Sequence, residues 1–433
     1  MPQHLATTDP DFEARFRALL SAKREDAADV SEAVAAILAD VRGRGDAAVI
    51  ELTARFDRLD LRPETLRVTE VEIDAAVAAV PEDQAQALAL AAERIEAFHA
   101  RERPADEAWT DAAGARLGWR WTPVDAAGLY VPGGLASYPS SVLMNALPAR
   151  AAGVRRLVMC VPSPGGALNP LVLAAARLAG VDEVYRIGGA QAIAAMAYGT
   201  ETIAPVDVVT GPGNAYVAAA KRQVFGRVGI DMVAGPSEVL VIADGATDPD
   251  WIALDLLSQA EHDESAQAIL ITDDAGLAGA VAQSVERRLL TLERAAVAGA
   301  AWRDFGAIVT VRDLDEAAAL ANRIAPEHLE LMVDDPDALA ARIRHAGAIF
   351  LGRWTPEAVG DYVAGPNHVL PTARSARFSS GLSVLHFLKR TTLTALTPEA
   401  LRAVGPAAVA LAASEGLSAH GASVAARLDR LNR

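Results

Sequence analysis

Arg155-Arg156-Leu157-Val158-Met159-Cys160-Val161, followed by the helix-patterned Pro170–Leu178, is the stretch whose reading decides the fold. A short apolar run of this kind reads as a buried strand, and the segment after it carries apolar residues at helical spacing. The alternation repeats twice: Glu183–Ile187 leads to Ala190–Tyr198, and Val206–Val209 leads to Gly213–Phe225. Strands that alternate with crossover helices predict a parallel sheet, whose ligands sit outside the carboxyl ends of the strands. Two of the strand-to-helix turns at that end are Gly188-Gly189-Ala190-Gln191 and Gly211-Pro212-Gly213-Asn214. Ligand-binding turns and plain tight turns with capping amides both fit those residues. Upstream, Gly128-Leu129-Tyr130-Val131-Pro132-Gly133-Gly134 offers a turn that lets backbone approach a partner closely. Tyr130 adds a flat face and a hydroxyl beside it.

A second α/β region begins at Gly235-Pro236-Ser237-Glu238 and continues into the apolar Val239-Leu240-Val241-Ile242-Ala243. Asp248-Pro249-Asp250 then opens a helix, and Trp251, Leu254, Leu257 and Ser258 keep its period. At its far end Gln259 and His262 are three residues apart, so they share a face and can point at one target. Further strands are expected at Gln267–Ile271, Ala307–Val311, Leu329–Val333 and Ala348–Leu351. Ala325-Pro326-Glu327-His328-Leu329-Glu330 sets a carboxylate beside an imidazole at a helix-to-strand junction. An imidazole titrates near neutrality, so Glu327-His328 is a candidate acid/base pair. Gly360-Asp361-Tyr362 through His368 reads as a turn-rich loop. No internal repeat stands out residue by residue, while the two α/β regions are compatible with distant copies of one unit.

At 433 residues the chain has room for about two or three domains. A net charge of −16 argues against a phosphate-backbone partner, and the lone Cys160 leaves no disulfide framework and reads as a small core residue. No charged-then-apolar leader opens the sequence and no apolar stretch approaches ~18–20 residues, so a soluble, cytoplasmic protein is expected. The N-terminal arm carries one amphipathic patch, Phe12, Phe16, Leu19 and Leu20, expected to pack on a neighbour. Gly43-Arg44-Gly45-Asp46-Ala47-Ala48 matches GxGxxA but follows a helix-like run rather than a strand, so it is not a dinucleotide loop. His4, His99 and His345 read as surface residues, and His386 as core or interface. His262, His328, His368 and His420 each sit in a turn. Gln259, His262, Asp361 and His420 would make a mixed nitrogen and oxygen set suited to zinc, or to manganese in its place. From Phe378 onward strand patterning is lost and a helical tail is expected, containing Ser414-Glu415-Gly416-Leu417-Ser418-Ala419-His420.

As an ordered set these fragments resemble the histidinol dehydrogenase family. The resemblance rests on Ile230-Asp231-Met232-Val233-Ala234-Gly235-Pro236-Ser237-Glu238 with the helix ending Glu261-His262, on Gly188–Ala192 and Gly211–Tyr216, and on Ala325–His328, Gly360–Tyr362 and Glu415-Gly416-Leu417 with His420. It runs from about residue 120 to the C-terminus. Ser414 and Gly421 depart from what relatives often carry, without removing a functional group.

The implied fold is α/β, with two Rossmann-like parallel-sheet domains, one of them discontinuous, plus a helical N-terminal arm and a helical C-terminal tail. The corresponding ranges are an arm at 1–26, a discontinuous α/β domain at 27–127 and 237–377 carrying most metal and catalytic residues, an NAD-binding α/β domain at 128–236, and a tail at 378–433 that completes the partner subunit's site. The implied activity is NAD-dependent, zinc-containing oxidation of L-histidinol through L-histidinaldehyde to L-histidine, the last steps of histidine biosynthesis, in a homodimer with one zinc per subunit. By the same likeness zinc falls to Gln259, His262, Asp361 and His420, NAD to Tyr130, Gln191 and Asn214, and substrate to Ser237, Gln259, His262, His328, Asp361, Glu415 and His420. Glu415 and His420 would come from the partner subunit. His328 would act as base and Glu327 would activate water, with zinc orienting the substrate's imidazole and amine nitrogens. The alternative is a related zinc/NAD dehydrogenase acting on a small polyol such as a sulfonated propanediol; Glu327, His328 and Glu415 suit a cationic amino alcohol better. A zinc hydrolase would leave Tyr130, Gln191 and Asn214 without a role, and a non-catalytic metal-binding dimer would hold zinc without turnover.

Overall fold

In the computed structural model the described residues are 2–21, 30–133, 138–233 and 235–433. Their strands are β1 (Gln3–Ala6), β2 (Glu107–Thr110), β3 (Arg116–Pro123), β4 (Ala126–Tyr130), β5 (Arg156–Cys160), β6 (Glu183–Tyr185), β7 (Val208–Thr210), β8 (Gly229–Ile230), β9 (Glu238–Ala243), β10 (Gln267–Thr272), β11 (Ala307–Thr310), β12 (His328–Met332), β13 (Ala348–Leu351) and β14 (Leu388–Ala395). They form an all-parallel five-stranded sheet ordered β6-β5-β4-β7-β8 and an all-parallel six-stranded sheet ordered β1-β11-β10-β9-β12-β13. A third, antiparallel sheet is ordered β14-β3-β2.

The chain divides into two units. Met1–Glu102 with Asp125–Phe387 holds both parallel sheets, and Arg103–Val124 with Leu388–Arg433 holds the antiparallel one. Parallel sheets covered on both faces read as continuous apolar runs, because each strand buries both of its sides. Thus every residue of β9, β10 and β12 is buried. Leu240 and Ile242 pack into one layer with Ile269, Ile271, Leu329 and Phe16, while Val239 and Val241 pack into the other with Leu257, Leu270 and Ile308. Each such side chain contributes about 1.5–3 kcal/mol on burial, which makes these central strands the rigid base of the site at their ends. Helices between the strands start on caps legible in the sequence: Asn169, Asp248, Asp274 and Asp313 each accept a backbone N–H of the following turn.

The arm is helical over Phe12–Ser21, and its first residues also form β1, paired in parallel with β11 from Gln3 opposite Ala307 to Ala6 opposite Thr310. Its patch does not await a neighbour: Phe12, Phe16 and Leu19 are buried in the layer under the chain's own six-stranded sheet. Gly45 sits between helices Ser31–Arg44 and Asp46–Asp57, as the rejection of the GxGxxA match requires. The tail is mainly two helices, Pro398–Ser414 and Ser418–Leu431, but it is not free of strands. β14 pairs with β3 over eight residues, and its Lys-Arg-Thr-Thr-Leu-Thr pattern is almost wholly exposed, so no apolar alternation announces it. His99 corrects another expectation: it is fully buried, with Nδ1 2.7 Å from Glu102. No helix among the described residues is long and apolar enough to cross a membrane.

Candidate active site

The helix Leu314–Ile324 stops at Ala325, which adopts a left-handed φ of 49°; Pro326 follows, and β12 begins at His328. Parallel pairing sets His328 opposite Val239, one residue beyond Glu238. Glu327 and His328 then grip one peptide from two sides. The Glu327 Oε2 accepts the Glu238 N–H at 2.8 Å, and His328 Nδ1 lies 3.0 Å from the Glu238 carbonyl oxygen. A carbonyl can only accept, so this bond assigns the proton to Nδ1 and leaves Nε2 as the basic nitrogen. Nε2 faces Glu357, 3.7 Å away. Burial pushes the His328 pKa down to about 4 against the opposing pull of Asp361, so the ring is neutral near pH 7.

Two carboxyls beside it are driven apart. Burial, reinforced by the charge of Asp361, raises Glu357 to about 9 and keeps it protonated. Burial acts against ionisation of Asp361 too, but hydrogen bonding to His368 and the charges of His368, His328 and His262 outweigh it and hold the carboxyl near about 2. Beneath them, burial raises Asp255 to about 6 and, with Asp255 alongside, lifts Glu330 well above the usual range. Glu330 also accepts the Glu357 N–H at 2.6 Å.

The end of helix Pro249–Ala260 meets this cluster. His262 Nδ1 is 3.3 Å from Gln259 Nε2, and His262 Nε2 is 3.8 Å from Asp361 Oδ2. Gln259 is 1% exposed, and its Oε1 is buried without a hydrogen-bond partner among the described residues. An unsatisfied buried oxygen costs about 1–3 kcal/mol, which a cation at that oxygen would offset. His328, Glu357 and Asp361 also bring one ligand atom each within 4.8 Å of one another. Asp361 is common to both groupings. The set of Gln259, His262 and Asp361 is the better cation site, since it alone uses the buried, unpartnered Gln259 oxygen. Its imidazole, amide oxygen and carboxylate fit zinc.

At the carboxyl ends of β4 and β7 the residues expected at a cofactor are shaping turns. The buried Tyr130 hydroxyl accepts the Gly189 N–H at 3.1 Å, and burial raises its pKa to about 12. Gln191 is buried in the first turns of helix Gly189–Tyr198. Asn214 Oδ1 caps helix Ala215–Val224 through the N–H groups of Tyr216 and Val217, at 3.1 and 3.2 Å. Gly211 has φ 114°, and a Cβ there would collide with the Tyr130 carbonyl. The buried Lys221 pairs with Asp231, donates to the Gly211 carbonyl at 2.8 Å, and Asp231 accepts the Gly211 N–H at 2.8 Å. Cys160 is fully buried, and burial pushes its thiol well up, as a core residue requires.

Gln259, His262, Glu327, His328 and Asp361 therefore share one region, with Ser237 half-buried immediately before Glu238. Glu415 and His420 belong to the second unit, at the end of helix Pro398–Ser414 and in the first turn of Ser418–Leu431. Asp361 is not in a loop: it lies on the short helix Glu357–Tyr362. That helix also supplies the site's overlooked acid. Glu357 and Asp361 are four residues apart on one face, a spacing visible in the sequence once the segment is read as helical.

Two parallel sheets covered by helices, with a buried carboxylate, imidazoles and an unpartnered amide oxygen gathered at one strand end, define an α/β protein with an enzyme-type site. The histidinol dehydrogenase family model matches residues 20–428. The chain is 74% identical to the histidinol dehydrogenase of Cereibacter sphaeroides over 432 residues, covering 100% of each, and 72% identical to that of Ruegeria pomeroyi, again over 100% of each. The crystal structure of histidinol dehydrogenase from Elizabethkingia anophelis matches with a TM-score of 0.95 at 37% identity, covering 100% of this chain and 99% of that one. The chain belongs to the histidinol dehydrogenase family.

Proposed function

We propose that the protein oxidises L-histidinol through L-histidinaldehyde to L-histidine with two NAD, using a zinc site of Gln259, His262, Asp361 and the partner subunit's His420. The observation that carries this reading is the fixed tautomer of His328. Its Nδ1 is committed to the Glu238 carbonyl, and its Nε2 faces the Glu357–Asp361 cluster beside His262. In the first oxidation the substrate hydroxyl gives its proton to His328 Nε2 as the carbon–hydrogen bond breaks. In the second, Glu327 takes a proton from the water that adds to the aldehyde while His328 returns its proton to the carbonyl oxygen, and His328 then removes a hydroxyl proton of the hydrate as the hydride leaves. Zinc supplies a cationic template for the substrate's imidazole and amine, and NAD, bound at the turns around Tyr130, Gln191 and Asn214, supplies the hydride acceptor. Ser237 and the partner subunit's Glu415 complete the substrate contacts.

The test is NADH formation from L-histidinol, expected at two NADH per histidine. Single-turnover assays separate the halves: Glu327→Gln should slow oxidation of supplied aldehyde more than oxidation of the alcohol. Equal losses in both would remove Glu327 from the water-activating role.

A further inference from the structure

A cleft of 690 Å³ opens along helix Leu314–Ile324, lined by Arg323, Arg342, Arg344, Arg374, Arg377 and His345, with the carboxylate of Asp315 also in its lining. Five guanidinium groups around one space is unexpected in a chain of net charge −16, because like charges repel unless something neutralises them. Part of the cluster has local partners. Arg323 is held by Glu13 at 2.7 and 3.0 Å over the Phe16 ring, and Arg342 pairs with Asp315. Arg374 donates to the Arg323 carbonyl at 3.1 Å, as cations do at helix C-termini. Arg344 and Arg377 have no carboxylate within ion-pair distance among the described residues.

The arginines stand on a built frame. Asn322 binds the chain of the opposing loop three times: its Oδ1 accepts from Arg344 N at 2.6 Å and His345 N at 3.2 Å, and its Nδ2 donates to the Arg342 carbonyl at 2.9 Å. On the other wall Arg374 takes a left-handed φ of 64°, and Arg377 Nε donates to its carbonyl at 3.0 Å. Both walls thus set arginines beside one common space, and the guanidinium group is the side chain suited to phosphate through paired N–H groups.

We propose that this cleft is a binding site for a compact polyanion with two or more linked phosphate groups. The volume exceeds what one phosphate fills. The described lining holds alanines, Asn322 and charged groups but no phenyl, phenol or indole ring, so nothing there is built to stack a nucleobase. The strongly acidic chain disfavours a nucleic-acid strand.

The probe is inorganic pyrophosphate, titrated calorimetrically into the full-length protein at low ionic strength, with orthophosphate as comparator. The expected result is one pyrophosphate per chain, bound at least tenfold more tightly than orthophosphate, and a tenfold or greater loss of affinity in the Arg344→Gln, Arg377→Gln variant. Histidinol turnover, which uses neither residue, reports that this variant is folded; if it is not, the exposed Arg377→Gln alone serves, with a threefold or greater loss expected. Equal affinity for the two anions, or affinity unchanged in the variant, would overturn the proposal.

Discussion

The two parallel sheets are the same design used at opposite ends. Numbering strands by their order within each region, both run third, second, first, fourth, fifth: β6-β5-β4-β7-β8 in one, and β11-β10-β9-β12-β13 in the other, to which β1 adds an outer strand. In such sheets the ligand crevice lies between the carboxyl ends of the first and fourth strands. In the five-stranded sheet that place is occupied by the turns after β4 and β7, with Tyr130 gripping Gly189 and the Lys221–Asp231 pair gripping Gly211. In the six-stranded sheet the equivalent place is plugged. Arg353 pairs there with Asp244, reaches Asp334 at 2.8 Å and Thr247 at 2.8 Å, and Asp244 accepts the Asp334 N–H at 2.9 Å. The proposed acid/base pair lies instead at the amino ends of β9 and β12, where Glu238, Glu327 and His328 meet. Strand order therefore locates a crevice, and the side chains decide whether it is a site.

Breaking the amino-end chemistry should have the largest effect. His328→Ala is expected to lower kcat for both oxidations by about 10²–10⁴-fold, since it removes the imidazole proposed to take the substrate's hydroxyl proton; stopped-flow NADH traces with alcohol and aldehyde check it. At the carboxyl ends of the other sheet, Gly211→Ala must displace the Tyr130 carbonyl and should raise KM for NAD about tenfold or more, while zinc content stays at one per chain. Lys221→Met should act in the same direction but more weakly on KM than on stability, because a buried Asp231 loses its counter-charge; thermal melts should show a loss of about 3–5 kcal/mol.

The plug predicts a stability effect without a catalytic one. Arg353→Met should cost about 1–3 kcal/mol in urea melts and leave KM for NAD unchanged. The smallest effect concerns the edge of the same sheet. Glu316 accepts from Thr7 at 2.7 Å and from the Arg312 backbone N–H at 2.9 Å. Burial opposes its ionisation, yet the bonds to Arg312 and Thr7 prevail and bring its pKa to about 2. A depressed carboxyl stabilises the fold above its unfolded pKa, and that contribution disappears as pH falls from about 4.5 through about 2. Glu316→Gln should therefore cost about 1 kcal/mol at pH 7 after solvent screening, and nothing near pH 2.

Much of this comparison was legible in the sequence, and the exceptions have physical causes. Fully buried strands such as β9 and β10 announce themselves as unbroken apolar runs, and the helix starts do so by their caps. β1 and β14 do not: one is four residues long, and the other has seven of its eight residues exposed. Glu327, His328, Gln259 and His262 were visible as polar groups at element ends. Glu357 was not, because a carboxylate after a proline looks solvated, and only tertiary burial makes it an acid of pKa about 9. His99 and Lys221 escaped for the same reason, since their partners Glu102, Asn367 and Asp231 are identified by contact rather than by spacing.

The claim that the two sheet ends divide the work, metal and proton transfer at one and cofactor at the other, is tested most directly by a crossed binding measurement. Zinc content and NAD affinity are determined on the same preparations of His262→Asn and Gly211→Ala, by metal analysis and by fluorescence titration with NAD. The account predicts that His262→Asn loses zinc and binds NAD as the parent does, while Gly211→Ala keeps zinc and binds NAD at least tenfold more weakly. Loss of NAD affinity in His262→Asn together with parental affinity in Gly211→Ala would contradict it.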